Sequence, residues 1–291
     1  MNCIEQVITD RYAAYRGDCV EVLQGLPDQS IGYSIFSPPF ASLYTYSNSP
    51  RDMGNVRNDA EFFEHFDYLI AELRRVMKPG RNVSFHCMDM PSSKERDGVI
   101  GLKDFPGDLL RAFQRHGFIF HAKVTIWKDP VTAMQRTKAL GLLHKSVREN
   151  AAMCRMGIPD YLITVRAPGE CERVKHGAEF PVDLWQKVAS PVWMDINPSD
   201  TLQFRSAREH DDERHICPLQ LEVIRRGVML WTNPDDIVLS PFMGIGSEGY
   251  VAVEMGRKFV GAELKESYFR QAVANLAGAV QQTQGLFSEA A

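Results

Sequence analysis

The sequence has no C-x-x-C pair, no apolar run of membrane length, no excess of basic charge, no internal repeat and no low-complexity segment. Each absence removes a class of function. The six cysteines, Cys3, Cys19, Cys87, Cys154, Cys171 and Cys217, are scattered, and no nearby histidine completes a zinc-like spacing. That argues against a structural metal and for reduced thiols in a cytosolic protein. No stretch approaches the roughly 18 apolar residues of a membrane span. Met1-Asn2-Cys3-Ile4-Glu5-Gln6 lacks the basic and apolar regions of an export signal. A soluble, cytoplasmic protein with no membrane partner is expected. The net charge of −4 supplies no global basic field, so any nucleic acid must meet a local basic face.

What is present is an alternation of strand-like and helix-like segments in 291 residues with 44% apolar content, enough for one large α/β core. Arg16-Gly17-Asp18 reads as a strand end and an acidic turn before a short helix. Gly32-Tyr33-Ser34-Ile35-Phe36 reads as a strand ending at Ser37. Asn58 or Asp59 would cap a helix over 61–77, where Phe62, Phe66, Leu69, Ile70, Leu73 and Met77 recur at helical spacing before Lys78-Pro79-Gly80 ends it. A strand over 82–86, a helix over 108–116 and strand material over 118–127 follow. From 129 to 159 the periodicity fades into a basic excursion with Arg136, Lys138, Lys145, Arg148 and Arg155, and 161–165 resumes as a strand. Residues 167–214, broken by four prolines and carrying Trp185 and Trp193, read as a small irregular lobe. Helices over 219–230, 247–255 and 265–278 then alternate with strands ending at Leu239 and Glu263, and a frayed tail is expected over 279–291.

Two motifs follow strands and so fall at the binding edge of an α/β sheet: Ser37-Pro38-Pro39-Phe40 and Pro241-Phe242-Met243-Gly244-Ile245-Gly246. Gly244-Ile245-Gly246-Ser247-Glu248-Gly249 satisfies G-x-G-x-x-G, in which a strand turns sharply into a helix with its backbone open to a ligand. This spacing does not name the ligand. A nicotinamide cofactor would want an acid about 20 residues on, and Glu263 serves.

Pro-Phe before the glycines, Gly256-Arg257-Lys258-Phe259-Val260-Gly261-Ala262-Glu263 after them, and Ser-Pro-Pro-Phe far ahead of both resemble the β group of DNA amino-methyltransferases, the N4-cytosine and N6-adenine enzymes. The resemblance covers about residues 16–128 and 215–275. It implies a Rossmann-like methyltransferase fold with permuted motif order. Catalytic parts lie in 1–166, a small target-recognition region in 167–214, and the main cofactor-binding parts in 215–278. It implies S-adenosylmethionine as cofactor, with the glycine loop of Gly244, Gly246 and Ser247 beside its methionine portion and Glu263 on its ribose. Asp18 would meet its adenine, Pro241 and Phe242 would line it, and the segment of His215 would cover its methionine end. Ser240 stands where the family usually has Asp, and it offers a hydrogen-bond acceptor without charge.

An exocyclic amine is a poor nucleophile because its lone pair is delocalised into the ring. Acceptors at its two hydrogens, the Ser37 hydroxyl and the Pro38 carbonyl, would localise that pair. The prolines Pro38 and Pro39 withhold N–H donors and fix φ. Phe40, with Tyr44 or Tyr46, would stack on a base flipped out of double-stranded DNA. Arg136, Lys138, Lys145, Arg148 and Arg155, with Arg51, Arg57, Arg205 and Arg208, are candidates for phosphate contact, with a solvated basic loop as the alternative for the first five. The serine at 37 favours N4 of cytosine, and N6 of adenine is the alternative. A small-molecule enzyme with a nucleotide cofactor and an inactive DNA-binding protein are the rival classes. Family members often pair, which makes a homodimer an expectation. The sequence names neither a target site nor a restriction partner. His86, at a strand end, could approach the cofactor but reads rather as a satisfied core histidine, and Trp127 reads as core or pocket wall.

Overall fold

The structure is a computed structural model that describes residues 2–39, 58–92, 94–137, 143–178, 180–203 and 218–288. Its frame is a nine-stranded sheet in the order β1-β2-β11-β10-β3-β4-β8-β7-β9. The strands are β1 (Glu5–Ile8), β2 (Tyr12–Arg16), β3 (Ile31–Phe36), β4 (Met77–Cys87), β7 (Ile119–Ile126), β8 (Asp160–Arg166), β9 (Val192–Trp193), β10 (Ile237–Ser240) and β11 (Lys258–Glu263). β2, β11, β10, β3 and β4 run parallel, while β1 at one end and the β4–β8–β7 run at the other are antiparallel. β5 (Met90–Ser92) and β6 (Gly101–Lys103) pair separately around α3 (Lys94–Asp97).

Every residue of β3 is buried, as a parallel strand covered on both faces requires. Ile31 and Phe36 face one core, with α1 (Cys19–Gln24), α2 (Asp59–Val76) and α4 (Phe105–Arg115). Tyr33 and Ile35 face the other, with α8 (Leu221–Trp231), α9 (Ser247–Glu254) and α10 (Glu266–Ser288). The Asn58 side chain caps α2 by accepting from Glu61 N at 2.9 Å, and Phe62, Phe66, Leu69, Ile70, Leu73 and Val76 form its buried stripe. Phe66 meets Phe113 of α4 edge-on at 6.0 Å, and Phe113 stacks on Phe85 of β4 at 4.9 Å, so aromatic contacts key these helices to the sheet.

Three expectations are corrected. The basic excursion, read as a stretch of fading periodicity, contains α5 (Pro130–Thr137), α6 (His144–Asn150) and a 3-10 turn over Ala151–Met153. α6 buries none of its residues, so it has no apolar stripe for a periodicity reading to find. Within 167–203, α7 (Val182–Val188) and β9 are regular, and β9 joins the main sheet beside β7 with Trp193 buried. Arg226 of α8, almost wholly buried, holds that segment by bonding Asp195 at 2.7 Å and lying over the Trp193 ring. Finally, α10 continues ten residues past Gly278. Ala279 is buried in the core and Thr283 Oγ1 donates to the Ala279 carbonyl at 2.8 Å, so the segment read as a tail is helix to Ser288.

A buried ion pair ties the foot of β4 to that of β10: Arg81 and Asp236 meet at 3.1 Å, and Asp236 also accepts from Asn233 N at 2.7 Å. A Cβ on the intervening Gly32 would lie 2.9 Å from the Asp236 carboxyl carbon, so only glycine lets the pair close across β3. Asp236→Ala would leave the Arg81 charge buried and unpaired, which costs about 3 kcal/mol. A thermal melt should show a midpoint lower by roughly 6–10 °C; a shift within about 2 °C would mean that the pair carries no net stability.

Candidate active site

The chain order across the sheet reverses between β10 and β3, the place where open α/β sheets form a crevice beyond their strand ends. Val238 pairs with Tyr33 and Leu239 with Ser34, and Ser34 Oγ donates to the Leu239 carbonyl at 3.0 Å. The two motifs, distant in the chain, therefore leave the sheet side by side. Phe242 of the glycine loop touches Phe36 at 5.8 Å and stacks on Phe66 at 6.5 Å with 9° between planes. Its ring is an anchor of that loop to the core.

After Ser240 the backbone turns through Gly244 at φ +53° and Gly246 at φ +86°, the second serving as N-cap of α9. Both lie in the left-handed region that glycine enters without penalty. Glu263, ending β11, accepts from Gly244 N at 2.9 Å and Lys265 N at 2.8 Å, which locks the loop against the neighbouring strand. β2 lies on the other side of β11, with Glu263 paired to Arg16, so Asp18 follows at the same edge. Asp18 Oδ1 caps α1 by accepting from Val20 N and Glu21 N.

On the β3 side, Pro38 and Pro39 are buried while Ser37 is half-buried. Ser37 Oγ lies 3.2 Å from His86 Nδ1. The other ring nitrogen of His86, Nε2, is 3.2 Å from Asp160 Oδ2 but off the line of a hydrogen bond. Lys128 Nζ donates to Asp160 Oδ1 at 2.5 Å. Burial alone would push the Asp160 carboxyl up, yet the His86 ring and the Lys128 ammonium outweigh it and hold the group below the ordinary carboxylate range.

Comparison with known proteins decides the family. The model of the DNA methylase family, covering N6-adenine and N4-cytosine enzymes, matches residues 33–274. The chain belongs to the DNA methylase family. This methyltransferase is 26% identical over 269 residues to the Type II methyltransferase M.BglII of Bacillus subtilis, covering 91% of this chain and 68% of that one. It is 24% identical to the DNA adenine methyltransferase YhdJ of Escherichia coli (strain K12), covering 89% and 81%. Its fold matches PvuII DNA methyltransferase (cytosine-N4-specific) with TM-score 0.66 at 17% identity, covering 97% of this chain and 96% of that one. It also matches a putative DNA modification methylase of Thermus thermophilus complexed with S-adenosyl-L-methionine, with TM-score 0.66 at 22% identity, covering 94% and 96%.

The methyltransferase uses S-adenosylmethionine, and the residues of its glycine loop fit that cofactor. The buried hydroxyls of Ser240 and Ser247 have no hydrogen-bond partner among the described residues, and a Cβ on Gly244 would meet nothing within 4 Å. Unsatisfied polar groups beside open backbone are what a polar ligand needs.

Ser37, Pro38, Pro39, Asp18, Ser240, Pro241, Phe242, Gly244, Gly246, Ser247 and Glu263 are thus gathered along the ends of β2, β11, β10 and β3. Lys145 and Arg148 are exposed on α6, and Lys145 is only 3.7 Å from Glu149, a weak surface pair. Arg136 lies on α5, with its side chain outside the description. Phe40, Tyr44, Tyr46, Arg51, Arg57, Lys138, Arg205, Arg208 and His215 lie outside the described residues. Trp127 is 43% exposed, which overturns the core half of its reading as core or pocket wall. Sequence reasoning missed Asp160 and Lys128 and discounted His86. The available signal was a set of polar residues at strand ends: His86 near the end of β4, Asp160 opening β8 and Lys128 just beyond β7.

Among the described residues, no helix is long and apolar enough to cross a membrane.

Proposed function

We propose that this DNA methyltransferase acts on the exocyclic amine of a base flipped out of duplex DNA, with N4 of cytosine as the favoured target. The adjacency of Ser37 and the glycine loop at one crevice carries the reading. S-adenosylmethionine, when bound, supplies an electrophilic methyl group on a sulfonium. Glu263, Asp18, Ser240, Pro241, Phe242, Gly244, Gly246 and Ser247 would hold it, with His215 beside its methionine end. The N-terminus of α9 favours a carboxylate there.

Ser37 Oγ and the Pro38 carbonyl accept the two amino hydrogens and draw the nitrogen toward tetrahedral geometry. The Pro38-Pro39 pair keeps competing N–H donors out of the pocket. Phe40, Tyr44 and Tyr46 stack on the extruded base, whose removal from the helix costs a few kcal/mol. Lys145 and Arg148, with Arg136 and Lys138, meet phosphates. Their local charge suits a chain that is acidic overall. The region 167–214 reads the target, and its shortness favours a brief or relaxed site. We place the enzyme in the cytoplasm with its DNA, acting as a homodimer within restriction-modification.

The cytosine preference rests on Ser37, since a serine commonly stands there in N4-cytosine enzymes and an aspartate in N6-adenine ones. The PvuII enzyme, of matching fold, is cytosine-N4-specific. Incubating unmethylated duplex DNA with the protein and methyl-labelled S-adenosylmethionine, then digesting to nucleosides for mass spectrometry, should place label in N4-methylcytosine. Label in N6-methyladenine would overturn the base assignment and keep the crevice. Absence of label, with the cofactor bound, would overturn the proposal.

A further inference from the structure

We propose that His86, with the Asp160 carboxylate beside it, is the proton acceptor of the reaction and acts through Ser37. The inference rests on Ser37 facing the amine and deepens that reading. A methylated exocyclic nitrogen carries one proton more than the neutral product, and a hydroxyl cannot retain that proton. Ser37 takes it as its own hydroxyl proton passes to His86 Nδ1, 3.2 Å away. The result is a neutral methylamine, a restored serine and an imidazolium. Asp160, nearly fully buried at the other ring nitrogen, stabilises the new charge from 3.2 Å. Lys128 on the second Asp160 oxygen fixes that carboxylate in place.

Three further features favour this arrangement. Asp160 is the only described carboxylate within ion-pair distance of His86. His86 is itself largely buried, so bulk water has limited access to the ring. Finally, three separate strands supply the groups. His86 comes from β4, Asp160 opens its antiparallel neighbour β8, and Ser37 follows β3, so the sheet register sets the spacing. The relay requires a ring with Nδ1 unprotonated and its proton on Nε2, 3.2 Å from Asp160. In that tautomer Nδ1 accepts the Ser37 hydroxyl proton and turns the Ser37 lone pairs toward the amine.

His86→Asn tests the inference, because asparagine can place an acceptor near the Nδ1 position but cannot take up a proton. Its single-turnover methylation rate should fall about a hundredfold, on the lower scale of general base catalysis. Cofactor binding by calorimetry and the KM for DNA should stay unchanged. Nitrogen NMR of the wild-type protein without cofactor supplies a second readout, independent of turnover and of any variant: His86 Nδ1 should report as the unprotonated nitrogen. A near-normal rate in His86→Asn, alongside a large loss in Ser37→Ala, would overturn the relay and leave the Ser37 reading intact. A near-normal rate in Ser37→Ala would overturn the Ser37 reading, and the relay with it. If His86→Asn fails to fold, the NMR result decides: a proton on Nδ1 overturns the relay.

Discussion

Ser37→Ala should lower the single-turnover methylation rate by about two orders of magnitude, a loss near 3 kcal/mol of transition-state stabilisation. The substitution removes one of the two acceptors proposed at the amine and leaves His86 Nδ1 without the hydroxyl 3.2 Å away. The other acceptor is a backbone carbonyl that the change does not touch. Some rate should therefore survive, from positioning and from the Pro38 oxygen. Affinity for S-adenosylmethionine should hold, because the glycine loop leaves a different strand, β10, and is anchored by Phe242 and Glu263 rather than by Ser37. The melting midpoint should move little, since Ser37 is only half-buried and its hydroxyl makes no backbone bond among the described residues. The measurement is rapid-quench methylation with enzyme in excess, beside calorimetry with the cofactor. A variant with wild-type rate would remove Ser37 from the chemistry, whereas loss of cofactor binding would make it a structural residue of the crevice.

Elements that bury a face were legible in the sequence. α2 announces itself through Phe62, Phe66, Leu69, Ile70 and Leu73 and the cap of Asn58, and β3, β10 and β11 through short apolar runs that stop at turn residues. α5 and α6 were not, and for α6 the cause is that it buries nothing. β9 is two residues long and becomes a strand only because β7 offers an edge. Past Gly278, helix formation is decided by packing of Ala279 in the core, not by the local signal of a glycine.

The same division runs through the site. The two motifs could be read because each occupies consecutive positions after a strand. The contact of Ser37 with His86, and of His86 with Asp160, depends on the registers of β3 with β4 and β4 with β8. Residue 86 lies opposite Leu162, which brings the start of β8 to the catalytic edge. No spacing along the chain encodes that.

Raising the pH from about 4.5 to about 8 should destabilise the wild-type protein through Glu248, and Glu248→Gln should remove that part of the slope. Glu248 lies in the first turn of α9 and is 4% exposed. Burial pushes its carboxyl from 4.5 up to about 8; its own backbone amide opposes the rise by less, and the Glu263 carboxylate adds to it. Through this window the folded chain keeps a proton that the unfolded chain releases. The native state thus binds more protons, and stability falls as pH rises. The contribution is full below the unfolded value and is lost by the time pH passes the folded one. At about 1.4 kcal/mol per pH unit, the whole change is at most roughly 5 kcal/mol. Glutamine has the shape of the protonated acid and no proton to lose, so urea melts at about pH 5 and about pH 8 should lie closer together in the variant. An equal decline in both proteins would assign the slope to other groups. The neutral state also bears on the cofactor half of the crevice. With Glu248 uncharged, the N-terminus of α9 keeps its pull on an incoming carboxylate.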